Sequence, residues 1–392
     1  MSQDTAERES THDDEGDTGA QGAVARALSR VVDRAGPDGE GGLGAFAATH
    51  RTRIVVVLAI LVVVALFAAI EVPLGRVLVE GIREGSVIAM VALGLALVYK
   101  STGVLNFAQG EFGTVAAFVV VVALVGGDIA AEVDTSAVGA GQLVGLTLAA
   151  ILAGMLLAVA VNLLVIRRLA NASPFTSLVA TAGIFTLLAG VQLVVFEARA
   201  RSFPRYLDGT PCLSSSGGEC QTFLTLFGSR IGWHSIIVIV VLAIVAALLA
   251  LLFRTPVGVA LLASSQEPFA ASLYGISPTA MSTLAWALAG GLGGLAGVLG
   301  AGVSELVTPA FMTTSFLIPA FTAAVLGGMT SMIGAVAGGL ILGIVVVLAN
   351  TTMLTYGLTG VVPNPPTLAS FGVLLLVLLF KPHGLFGKKA SA

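Results

Sequence analysis

The sequence predicts an all-α, polytopic membrane helix bundle of about ten spans, and three observations lead there. The chain of 392 residues is 56% hydrophobic and only 10% charged. Its mean hydropathy is +1.00, far outside the range of a soluble domain. Its apolar residues collect in runs of about 20, the length that crosses a bilayer as a helix.

The polar residues that do occur are segregated. Residues 1–50 hold about ten acids and four bases, so the net charge of -3 hides an acidic head and a slightly basic remainder. Almost no apolar residue precedes Val24, too few to offset the ordering entropy, and this segment reads as a disordered acidic tail. A secretory signal would reach its apolar core within about 15 to 30 residues, so no cleavage is expected. Val24 to Val32, with Arg26, Arg30 and Arg34, forms a short amphipathic stretch suited to a membrane surface.

The predicted spans are 54–70, 82–100, 104–125, 142–166, 176–197, 235–253, 279–300, 315–331, 333–349 and 367–381. The last is short and follows Pro-Asn-Pro-Pro, so the expected count is 8–10. With the N-terminus in the cytosol, Arg51, Arg53, Lys100, Arg167, Arg168, Arg254, Lys381, Lys388 and Lys389 all fall inside, as the positive-inside rule prefers. Both termini are then cytoplasmic. Arg199, Arg201, Arg205 and Arg230 fall outside, in a long loop where the rule is weak.

That loop also holds Cys212 and Cys220, the only two cysteines. Their closeness in one hydrophilic external loop makes a small disulfide ring chemically reasonable, the alternative being two unpaired thiols. No metal site is expected.

Glycine is abundant, with 48 residues, and clusters in "GGLGGLAGVLGAG" at 290–302 and "GAVAGGLILG" at 334–343. Small residues four apart let helix backbones approach closely in lipid.

Two stretches break the apolar pattern. In "STGVLNFAQGEFG", Asn106, Gln109, Gly110 and Glu111 stand close together. Asn106 and Gln109 have the spacing of a capping box, and Glu111 would sit in the first helical turn, where the helix dipole favours a negative charge. The other reading is a helix broken at membrane depth, which is tolerated where it lines a polar cavity, so these residues are candidates for the substrate path. The second stretch, 254–282, is too polar around Ser264 to Pro268 to span. It contains a short helical run, Phe269 to Tyr274, closed by Gly275, suited either to an ordinary surface loop or to docking in a partner's groove.

These segments carry a resemblance. "GVLNFAQGEF", "PVGVALLASSQEPFAASLYGI", "AFTAAVLGGMTSMIGAVAGGLILG" and "KPHGLFG" resemble, in order and spacing, the LivH-type permeases of branched-chain amino acid ABC importers. The likeness runs from about residue 76 to 387. It implies an ABC permease transmembrane domain over 76–387, with an external loop at 198–234 and a cytoplasmic coupling loop at 254–278. Around it lie the tail 1–50, an extra N-terminal span within 51–75 and a cytoplasmic end at 388–392.

By the same resemblance, Glu267, Phe269, Ala270, Ala271 and Gly275 form the segment that meets the ATPase, with Phe269 standing where the family often has Glu. The implied partners are two ABC ATPase subunits, a second related permease of the LivM type, an extracellular solute-binding protein and the lipid membrane. No nucleic acid, cofactor or catalytic residue is expected. The chain lacks a phosphate-binding loop: "GLALVYKS" at 94–101 has no glycine before Lys100.

The expected cargo is a branched-chain amino acid, whose zwitterionic head and apolar tail call for a few polar groups on a greasy wall. Gln192, Asn162 and Glu305 could join Asn106, Gln109 and Glu111 there. A permease for urea or short-chain amides is the alternative within the family, and an ion-coupled secondary transporter the alternative of another class. An enzyme is disfavoured, because His12, His50, His234 and His383 lie in the tail or at membrane edges.

Overall fold

The computed structural model describes residues 74–128, 131–135, 138–169, 172–206, 224–226, 229–357, 362–381 and 384–386. The tail, the amphipathic stretch, the span 54–70 and both cysteines lie outside these residues.

Eleven helices are present among the described residues: α1 Leu74–Thr102, α2 Gln109–Leu124, α3 Ala140–Leu164, α4 Pro174–Phe196, α5 Trp233–Leu252, α6 Pro256–Gln266, α7 Pro268–Leu273, α8 Pro278–Ser304, α9 Ile318–Gly327, α10 Met332–Thr355 and α11 Pro365–Phe380. Six of them are long and apolar enough to cross a membrane; α2, α9 with the turn before it, and α11 are shorter apolar helices. Each predicted span from 82–100 onward meets one of these elements, usually within a few residues at either end. The largest difference is at 82–100, where the helix already starts at Leu74; at 104–125 the helix starts only at Gln109. Two short antiparallel pairs depart from a purely helical chain: β1 Arg201–Ser202 with β4 Leu306–Val307, and β2 Leu224–Leu226 with β3 Ser229–Ile231.

Helix starts are written locally. Ser173, Thr255, Ser277 and Asn364 each precede a proline and accept a hydrogen bond from the backbone N–H three residues on. The side-chain oxygen satisfies an orphan donor, while proline supplies helical φ where its missing N–H costs nothing. Ser331 caps α10 in the same way, accepting from Gly334 N at 3.0 Å.

Packing is governed by glycine. α1 and α8 are mostly buried, whereas α4, α5 and α11 expose long apolar faces, as helices do when the surrounding solvent is lipid. A methyl built on Gly85 of α1 would lie 2.8 Å from Gly339 O and 2.9 Å from Leu340 Cα of α10; one on Gly294 of α8 would lie 2.7 Å from Ala150 O of α3. Both predicted glycine clusters are thus sites of backbone-to-backbone contact.

The helix ends sort into two levels. At one, β1 pairs with β4, Arg205 forms an ion pair with Glu305, and Tyr206 OH meets Thr147 Oγ1. Buried His234 joins this level: its Nδ1 accepts from Tyr206 N at 3.3 Å, leaving Nε2 to face Leu299 O at 3.2 Å. At the other level, Lys100 lies over the Phe253 ring at 4.6 Å. There the closing segment bonds back to α9, with Leu385 N donating to Leu326 O at 2.7 Å.

Candidate functional site

The break between α1 and α2 is the first candidate. α1 ends on Gly103 at φ 70, where Gly103 N donates to Tyr99 O, a left-handed stop that glycine adopts without a Cβ penalty. Asn106 Oδ1 then accepts from Ala108 N at 3.1 Å, and Asn106 Nδ2 donates to Gln109 Oε1 at 3.2 Å. The expected capping box is not formed. Ala108 holds the cap position without a side-chain bond, and Gln109 Nε2 instead donates to Ala289 O of α8 at 2.8 Å. A backbone carbonyl on a neighbouring helix competes for the amide and wins, because in a dry interior it would otherwise lack that donor.

Glu111 does occupy the first turn of α2, but its bond is tertiary. Its Oε2 accepts from Gln192 Nε2 of α4 at 2.6 Å, and Gln192 Oε1 accepts from Ala310 N at 3.1 Å. Ala310 sits at φ 60, a region that a non-glycine residue holds only when its surroundings fix it. Two residues on, Met312 N donates to Thr114 Oγ1 at 3.2 Å. A π-helical turn, Thr313–Leu317, follows directly. Gly110 faces that turn: a methyl there would lie 2.9 Å from Thr313 Cα. Glu111 Oε1 and Thr313 Oγ1 are both buried without a hydrogen-bond partner.

Asn106, Gln109, Gly110 and Glu111 are all fully buried. They join α2, α4, α8 and the 308–313 strap into one polar knot inside the bundle. Gln192, named from sequence only as a further path residue, is its central link. Asn162 stands apart, bonded to Ser282 and Thr283 of α8, and Glu305 is paired with Arg205 at the opposite level.

The second candidate is α7. Phe269 is 77% exposed, Leu273 72% and Tyr274 87%, while Ala271 is buried against the bundle. Glu267 and Ala270 are also exposed. Gly275 follows at φ 78, with open space where a Cβ would stand. Its requirement is therefore conformational and not steric.

Between these two candidates lies a cavity of about 560 Å³. Its walls include Ser101 to Val104 at the end of α1, Arg167, and Ser264, Ser265 and Pro268 beside α7. The break and the α7 segment thus border the same space. A second cavity, of about 430 Å³, opens at the other end of α1 between Arg76, Glu80, Arg83, Glu84 and α10. The sequence pattern does not single out these four: the predicted span 82–100 runs straight through Arg83 and Glu84. Two adjacent opposite charges at the mouth of an apolar run were the signal that could have found them.

A multi-pass helical membrane protein with a broken polar helix junction, deeply packed glycines and a bare apolar helix at one end has the build of a transport subunit. The chain belongs to the family described as branched-chain amino acid transport system / permease component, whose model matches residues 77–380. It is 28% identical over 316 residues to the high-affinity branched-chain amino acid transport system permease protein LivH of Salmonella typhimurium, covering 79% of this chain and 94% of that one. It is 27% identical over 314 residues to BraD of Pseudomonas aeruginosa, which carries the same description, covering 79% and 95%. Among solved structures, PsaBC from Streptococcus pneumoniae in complex with Fab aligns at a TM-score of 0.40 and 14% identity, over 78% of this chain and 91% of that one.

Proposed function

We propose that this chain is the translocating subunit of an ATP-driven importer of branched-chain amino acids. In this reading it works beside a second related permease, two ABC ATPases and an extracellular solute-binding protein. The observation that carries it is α7. A six-residue helix that leaves Phe269, Leu273 and Tyr274 bare, set off by a left-handed glycine, has the form of a knob for a partner's groove. The names of the relatives support the cargo.

ATP-driven movement of the partner would be felt first at α7, then through the wall it shares with Ser101 to Val104, and so at the junction holding Asn106, Gln109, Gly110 and Glu111. That junction is the moving part of the path. The permease domain spans 76–387, with both termini and the 254–278 segment in the cytosol and 198–234 outside. The arrangement of helix ends in two levels supports this alternation.

The test is uptake of labelled leucine by the assembled importer carrying Gly275→Val. A β-branched residue resists φ 78, so α7 should be misaimed and uptake lost while membrane insertion stays normal. Full uptake by an inserted variant would remove α7 from the transmission route.

A further inference from the structure

The cavity at the far end of α1 has a chemistry that the junction lacks. Four charged residues, Arg76, Glu80, Arg83 and Glu84, fall within nine positions at the head of an otherwise apolar helix, and all four line it. Simple solvation of a helix end does not account for all four. Arg76 Nε bonds Glu80 Oε1 at 2.8 Å, an exposed i,i+4 pair. Arg83 and Glu84 make no such bond among the described residues, and Arg83 Nε is buried without a partner. Glu80 and Glu84 are one turn apart on the same face, a spacing at which two carboxylates repel, and among the described residues only Glu80 of the two is bonded to a cation, Arg76.

The opposite wall belongs to α10. Val346, Val347 and Leu354 give it an apolar surface, and Asn350 and Thr351 stand among them. The site therefore offers cationic and anionic groups in equal number beside an aliphatic wall, in a volume of about 430 Å³ that lies within the usual range for small-molecule sites, about 300 to 1,000 Å³. Gly81 and Gly85 of α1 pack tightly against Gly339, Gly343 and Ile344 of α10, and beyond them α1 is buried and apolar from Val87 to Val98.

We propose that this cavity binds a zwitterionic, aliphatic amino acid on entry. Arg83 takes the carboxylate, Glu84 with Glu80 takes the ammonium, and Val346, Val347 and Leu354 receive the side chain. The proposal rests on the transport function above and adds a substrate site to it. A neutral solute such as urea has no full charge to place against either Arg83 or Glu84 and so gains less from the site.

The experiment uses the whole importer in cells. Arg83→Gln and Glu84→Gln should each cut leucine uptake roughly 10- to 100-fold, the usual size of one lost charge-assisted contact, and Glu84→Asp should restore part of it. In parallel, Asn350→Cys places a thiol on the cavity wall, and its labelling by a membrane-impermeant reagent is read against the parent chain, which keeps Cys212 and Cys220. Leucine should slow the labelling and urea should not.

Normal leucine uptake by both charge variants overturns the site while leaving the transport function intact. An unmutated importer that moves urea and not leucine overturns the function itself. Where a charge variant fails to assemble, the labelling decides, and equal labelling with and without leucine overturns the site.

Discussion

α1 has two ends, and they differ in chemistry. Its head holds charges of both signs against an aliphatic wall of α10. Its tail holds hydroxyls, a left-handed glycine and a shared wall with the α7 segment. From Arg83 to Ser101 the rise is about 27 Å, close to the ~30 Å thickness of a bilayer core. Between them the helix is sealed by packing. In the proposals above, one end recognises a small zwitterion and the other lies beside the surface that receives a protein. In the function and site proposed above, a single helix touching both is a short lever between cargo and engine.

The largest expected effect comes from breaking the lever itself. Gly85→Leu should prevent assembly altogether, since its side chain would meet the Gly339 and Leu340 backbone, which cannot yield as a side chain can; a monodisperse, folded variant on size-exclusion chromatography would show that α1 and α10 are not locked. Next in size, Phe269→Ser on exposed α7 should sharply lower leucine uptake with little change in the melting of the purified chain. That variant should still show leucine protection at Asn350→Cys, because it unhooks the drive and spares the site. Loss of protection there would mean that the two ends are one functional unit.

Smaller effects belong to the knot between the ends. Gln192→Leu strips Glu111 of its donor and Ala310 N of its acceptor, and should destabilise the chain by roughly 1 to 3 kcal/mol. Glu111→Gln keeps an acceptor for Gln192 and should cost less in the same melt. A reversed order would show that the carboxylate is held by something other than Gln192. The smallest change is Ser173→Ala at the start of α4, worth about 1 kcal/mol as a lost cap, with uptake close to normal.

How far the sequence speaks depends on the range of the interaction. Spans from α3 onward were legible because hydropathy is summed along consecutive residues. The short helix ending before Gly275 was legible because turn chemistry is carried by single residues. The capping box was misjudged for the opposite reason. Asn106 and Gln109 have the correct spacing, yet Ala289, 180 positions away, supplies the carbonyl that Gln109 bonds. Arg83 and Glu84 were absorbed into a span because averaging over about 20 residues hides two charges that cancel.

By itself, then, the sequence determined that this is a membrane helix bundle, where most of its helices run, and that a short helix closes at Gly275; these follow from local composition, backbone preference and the resemblance of four motifs. Only the tertiary structure decided that Glu111 answers to Gln192 and a strained Ala310, and that the charges of α1 face Asn350 and Thr351 across a cavity. Those pairings join residues tens to hundreds of positions apart, and which of many buried polar groups meet is settled by how the glycine-lined helices close on one another.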